Sequence, residues 1–161
     1  MYKRILVPLD GSALAERILP HVEAIAKTTG AEVLLLRTTD PRHGAIAAEA
    51  PTEARKWLDT DQAQAANYLE GVAKPLKDVG ITTKLEVLVG EPAVEILMAA
   101  EKENVDLIAM MSHGATGFNH FDRGSVAEKV LKGSTRPVLM VRAFRSLLRQ
   151  LDEQEVWAIK E

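Results

Sequence analysis

Three observations point to an α/β protein with a doubly wound parallel sheet. Five short aliphatic runs recur along the 161 residues: "RILVPL", "AEVLLLR", "TKLEVLV", "VDLIAMM" and "PVLMVR". They are nearly continuous rather than alternating, as strands covered on both faces require. Stretches with helical spacing fill the gaps, so strand and helix alternate from one end to the other. The expected architecture is a Rossmann-like, five-stranded parallel sheet with right-handed crossovers. Its strand order is 3-2-1-4-5, with helices on both faces.

The first strand is expected over Arg4 to Leu9. Pro8 stands at its end, where a missing N–H does least harm. Leu14, Ile18, Leu19, Val22, Ile25 and Ala26 mark one face of a helix over about 13–28, with Ser12 as its N-cap and Gly30 as its stop. The second strand covers Ala31 to Arg37. The segment 41–58 is rich in alanine and short of large apolar residues, and reads as a mobile loop with a helical turn. A second helix is expected over 61–78, kinked or shortened by Pro75. Thr83 to Val89 form the third strand. Pro92 then opens the helix "PAVEILMAAEKE" at a position that tolerates proline. Val105 to Met111 form the fourth strand, Ser125 to about Lys132 the fourth helix, and Pro137 to Arg142 the fifth strand.

The chain is expected to be one domain over 1–143, followed by a helical tail over 144–161. In that tail Leu147, Leu148, Leu151 and Val156 line one face, against the same domain or against a partner chain. A net charge of −3 gives no reason to expect a nucleic-acid surface. The sequence contains no cysteine, which removes disulfide and thiolate chemistry. The apolar run at the N-terminus is too short for a signal peptide, and no apolar run approaches a membrane span. A cytoplasmic protein without membrane or nucleic-acid partners is the expectation.

In a doubly wound sheet a ligand lies beyond the carboxyl ends of the strands, where the strand order reverses. There the first strand offers "PLDGS" and the fourth offers "MMSHGATGFNHFDRGSVAEKVL". In the second of these, Gly114 and Gly124 enclose nine residues, and Gly124-Ser125 opens the last helix. Free N–H groups at a helix start attract phosphate, and glycine lets the oxygens approach. Ser125 with Glu128 would equally make a capping box, and local features leave both readings open. Asp10 either meets a ligand or caps its turn. The histidines show no pair at metal-ligand spacing and no acidic cluster joins them, so no metal site is expected. No phosphate-loop lysine accompanies Asp10 and His113, so a dedicated catalyst is not expected.

These residues resemble the universal stress proteins over nearly the whole chain. "ILVPLDGS" looks like that family's opening strand and acidic turn, and "VGEPAVEIL" like the entry to its third helix. The glycine stretch resembles its nucleotide-binding signature: Gly, two residues, Gly, nine residues, Gly, then Ser or Thr. Gly114, Gly124 and Ser125 match it; Met111 stands where the first glycine would be. The Met111 side chain would either crowd the ribose-phosphate region or turn into the core. The resemblance implies a homodimer, here through the last strand Val138–Val141, and an ATP or AMP ligand with Mg²⁺ held through phosphates. It implies that Pro8 and Asp10 lie at the adenine and ribose end and Thr38 beside the adenine. Met110, Ser112, His113 and Gly114 would border ribose and phosphates, with Gly124, Ser125 and Val126 on the phosphates. The function so implied is a stress-response sensor or switch. A dimerisation module without nucleotide and a slow ATPase are the alternatives.

Overall fold

A computed structural model describes residues 1–39, 51–112 and 126–142, with the backbone alone for 51–58. Strand β1 is Arg4–Pro8. A short 3-10 turn, Ala15–Ile18, leads into helix α1, Leu19–Thr29, and then β2, Glu32–Thr39. Helix α2 is Pro51–Asp78, β3 Thr83–Val89, α3 Pro92–Lys102, β4 Leu107–Met111, α4 Val126–Gly133 and β5 Val138–Val141. The sheet has the order β3-β2-β1-β4-β5 and every pairing is parallel, as the alternation of runs requires.

Side chains of opposite parity build two cores. Ile5, Val7, Val33, Leu35, Leu107 and Ala109 pack under α1 and α2, against Ile18, Val22, Leu69 and Leu76. Leu6, Leu34, Leu36, Ile108 and Met110 pack under α3 and α4, against Ile96, Ala99, Ala127 and Val130. Strand alternation divides each run between two dry faces, which is why the runs have no polar half.

Two local expectations are corrected. The first helix does not begin at residue 13: a 3-10 turn occupies Ala15–Ile18 and α1 starts at Leu19, with Pro20 in its first turn. The N-cap positions are accordingly Leu14 and Ile18 rather than Ser12, and the Ser12 Oγ instead accepts the Ala15 N–H at 3.1 Å, closing the turn that leads in. Gly30 ends α1 in the left-handed region, at φ 71°. The second correction concerns 51–58, read as loop but helical. Pro51 opens α2 in the first-turn position, and "TEARKWL" is made largely of good helix formers. The weak amphipathic signal concealed this strong intrinsic preference. Pro75 lies inside α2 without ending it. It is exposed, while Leu69, Ala73 and Leu76 on the opposite side hold the helix to the sheet. The expected tail over 144–161 and residues 40–50 of the expected loop lie outside the described residues.

Candidate functional site

The strand order reverses between β1 and β4, since β1 leads outward to β2 while β3 crosses back to β4. In a doubly wound sheet the place for a ligand is beyond the carboxyl ends of the strands at such a reversal. Pro8 ends β1, in register with Leu36, and the Leu9 N–H donates to the Leu36 carbonyl at 2.8 Å. Asp10 follows, exposed at the rim. Its Oδ1 accepts the Ser12 N–H at 2.9 Å and the Ser12 hydroxyl at 2.6 Å. The turn is completed by Gly11 at φ 86°, a conformation that side chains other than glycine's disfavour. One Asp-Gly-Ser sequence thus does two things: Ser12 accepts the Ala15 N–H that follows and orients the Asp10 carboxylate that precedes it.

From β2, Thr38 and Thr39 reach the same edge. Thr38 has the parity of Leu34 and Leu36, hence the α3 face, and is half-buried. Thr39 takes the other face and is buried, and among the described residues its Oγ1 has no hydrogen-bond partner. From β4, Met110 is buried in the α3–α4 core, and the Ser112 N–H donates to the Val141 carbonyl at 2.9 Å. Val126 begins α4 and packs against the same core as Met110. The fold therefore gathers Pro8, Asp10, Thr38, Met110 and Ser112 at one edge of the sheet, with Val126 opening a helix of the flanking layer. His113, Gly114, Gly124 and Ser125 lie outside the described residues.

Met111 has a definite place. Its side chain is 6% exposed and belongs to the α1–α2 core, with Leu9, Ile18 and Val141. Of the two readings open in the sequence, the core reading is the one the structure bears out. Parity alone carried the signal, since Met111 shares its face with Leu107 and Ala109.

Three features of this edge were missed in the sequence. Arg37 lays its guanidinium 5.0 Å from the centroid of the Tyr68 ring. The Tyr68 hydroxyl donates to Glu16 Oε1 at 2.9 Å. Burial, and next the Glu16 carboxylate, push the Tyr68 phenol well above its ordinary range, so it stays a neutral donor. On the other face, Glu91 caps α3 by accepting the Val94 N–H at 2.9 Å and meets Lys129 of α4 at 2.8 Å. The Lys129 ammonium, and then the Val94 N–H, hold its carboxyl below the usual range. No single motif announces these pairs, because their members stand far apart in the chain. Among the described residues no cluster of three His, Cys, Asp or Glu suits a metal ion, and no helix is long and apolar enough to cross a membrane.

The model of the universal stress protein family matches residues 1–142. The chain belongs to that family. Universal stress protein MJ0577 of Methanocaldococcus jannaschii is 38% identical over 162 residues, covering 91% of this chain and 98% of its own. Its solved structure superposes with a TM-score of 0.81 over 91% of this chain and 99% of that one. A universal stress protein in complex with cAMP, 21% identical, shares the fold at a TM-score of 0.67, over 88% and 97% of the two chains. One from Archaeoglobus fulgidus in complex with dAMP, also 21% identical, shares it at 0.63 over 86% and 97%. In this universal stress protein the departure from the family's glycine signature at Met111 is absorbed by the core, away from the face that Thr38 and Met110 share.

Proposed function

We propose that this universal stress protein binds an adenine nucleotide, ATP or AMP, beyond the carboxyl ends of β1 and β4 and serves as a stress-response sensor or switch. The observation that carries the reading is the Asp10 turn: a carboxylate held by two Ser12 hydrogen bonds at the point where the strand order reverses. Two proteins of the same fold are complexes with cAMP and dAMP, and adenine on a phosphorylated pentose is the part these ligands share. In this reading Asp10 accepts from the ribose hydroxyls, which a carboxylate does more strongly than a neutral group. Pro8 and Thr38 flank the base. Met110, Ser112, His113 and Gly114 line the ribose and phosphates, and Gly124, Ser125 and Val126 hold the phosphates at the start of α4. Any Mg²⁺ would be held chiefly by phosphate and water. Binding, not turnover, is the function.

Calorimetry on dialysed protein with ATP, AMP and GTP, with and without Mg²⁺, tests this. Selective adenine-nucleotide binding, lost in Gly124→Val and weakened in Asp10→Ala, is the expected result. Micromolar affinity would correspond to about 8 kcal/mol. No binding by nucleotide-free protein would overturn the reading and leave a dimerisation module, paired through Val138–Val141. Hydrolysis abolished by Asp10→Ala would favour an ATPase instead.

A further inference from the structure

We infer that Arg37 is a positioning residue for Asp10, acting through the backbone of Gly11 and braced by Tyr68. The inference rests on the nucleotide reading above and extends it to residues on the opposite face of β2 from Thr38. A Cβ built on Gly11 would stand 2.9 Å from Arg37 Nη1 and 3.2 Å from both Cζ and Nη2. The guanidinium therefore fills the space a side chain at Gly11 would need. Its Cζ also lies 5.0 Å from the centroid of the Tyr68 ring. The planar group thus stands close both to the turn that carries Asp10 and to a ring on α2.

The ring is fixed in its turn. Tyr68 donates to Glu16, which sits in the 3-10 segment. The Glu16 N–H reaches the Ser12 carbonyl at 3.3 Å, and Ser12 holds the Asp10 carboxylate. The contacts close a ring from Asp10 through Ser12, Glu16, Tyr68 and Arg37 to Gly11. A side chain at Gly11 would break this ring twice, through the positive φ and through the lost space. Among the described residues no carboxylate pairs with Arg37, and the contacts described for it are with the Gly11 turn and the Tyr68 ring. A flat guanidinium suits such a slot and an ammonium does not.

The test is titration of the full-length chain with adenosine and with ATP, well below the melting temperature. Arg37→Met should weaken both ligands by the same factor, about tenfold, roughly what one misplaced hydrogen bond is worth. Arg37→Lys should lose nearly as much, because charge without the plane does not hold the turn. Tyr68→Phe keeps the ring and should stay within about threefold of the wild type, whereas Tyr68→Ala should match Arg37→Met. The Tyr68 pair carries the test if Arg37→Met does not fold. Unchanged affinities beside a lowered melting temperature would overturn the positioning role. Loss of ATP affinity with adenosine unaffected would overturn it too, since Arg37 would then act on phosphate. Wild-type protein that binds neither ligand sinks the nucleotide reading and this inference with it; binding by the wild type with unaltered variants sinks the inference alone.

Discussion

Strands β4 and β5 are neighbours of nearly the same aliphatic composition, yet they live in different surroundings. Every residue of β4, Leu107–Met111, is buried, while every residue of β5, Val138–Val141, is only half-covered. The two are in register, Ile108 beside Val138 and Met110 beside Met140. The difference is position: β4 has a strand on each side, and β5 closes the sheet. Apolar composition reports that a strand has a dry face, and topology decides how many sides are covered. Among the described residues β5 pairs with β4 alone, and an aliphatic edge strand is what a second copy could pair with.

The sharpest way to break the contrast is to remove the same kind of side chain from each strand. Ile108→Ala, fully buried, should cost about 3–4 kcal/mol in urea unfolding. Val138→Ala, its half-exposed partner in register, should cost about 1 kcal/mol. A larger loss at Val138 that depends on protein concentration would mean that a second copy covers β5.

A third experiment concerns what ties each pair of strands at its lower end. In the centre, Asp106 Oδ2 accepts the Lys3 N–H at 2.7 Å and the Arg4 N–H at 2.9 Å, fastening the start of β4 to that of β1. These backbone donors, Lys3 first, hold its carboxyl below the usual range. A depressed carboxylate stabilises above its ordinary titration range, and that contribution disappears as pH falls through the folded value. Wild-type stability should therefore drop as the pH goes below about 4, and Asp106→Asn should flatten that dependence in acid melting curves. At the edge, Glu101 meets Arg136 Nη2 at 2.7 Å and the Thr135 hydroxyl. The Arg136 guanidinium, then Thr135, lower the Glu101 carboxyl, but the group is exposed. Arg136→Ala should give the smallest effect of the series. It should vanish at about 1 M salt, where charges are screened within about 3 Å.

The elements most legible in the sequence were those with a single dominant cause. Continuous aliphatic runs gave the five strands, and Gly30 and Pro92 marked a helix end and a helix start. The Asp10 turn was legible because Asp-Gly-Ser carries its own hydrogen bonds. The start of α2 at Pro51 was not, because 51–58 has good helix formers but little amphipathic spacing. Arg37 and Tyr68 were not legible either. Arg37 ends an apolar run and Tyr68 lies on a long polar helix, and only the packing of α2 on β2 brings them together. Met110 and Met111 are adjacent in a strand, so parity alone sends them to separate cores.

The placement of β1 has a consequence in time. Its two neighbours are β2, made soon after it, and β4, whose anchoring Asp106 lies 103 residues beyond Lys3. At about 5–20 residues per second, the ribosome needs several seconds or more to deliver that second neighbour. Until then the nascent chain can assemble β1, β2 and β3, but β1 is still an edge, with an aliphatic ladder open to any passing strand. The oldest strand of the protein therefore stays an edge until the fourth is made, and β4 in turn until β5 follows. Completion of the sheet, and with it the crevice beside Asp10, must await the second half of the chain.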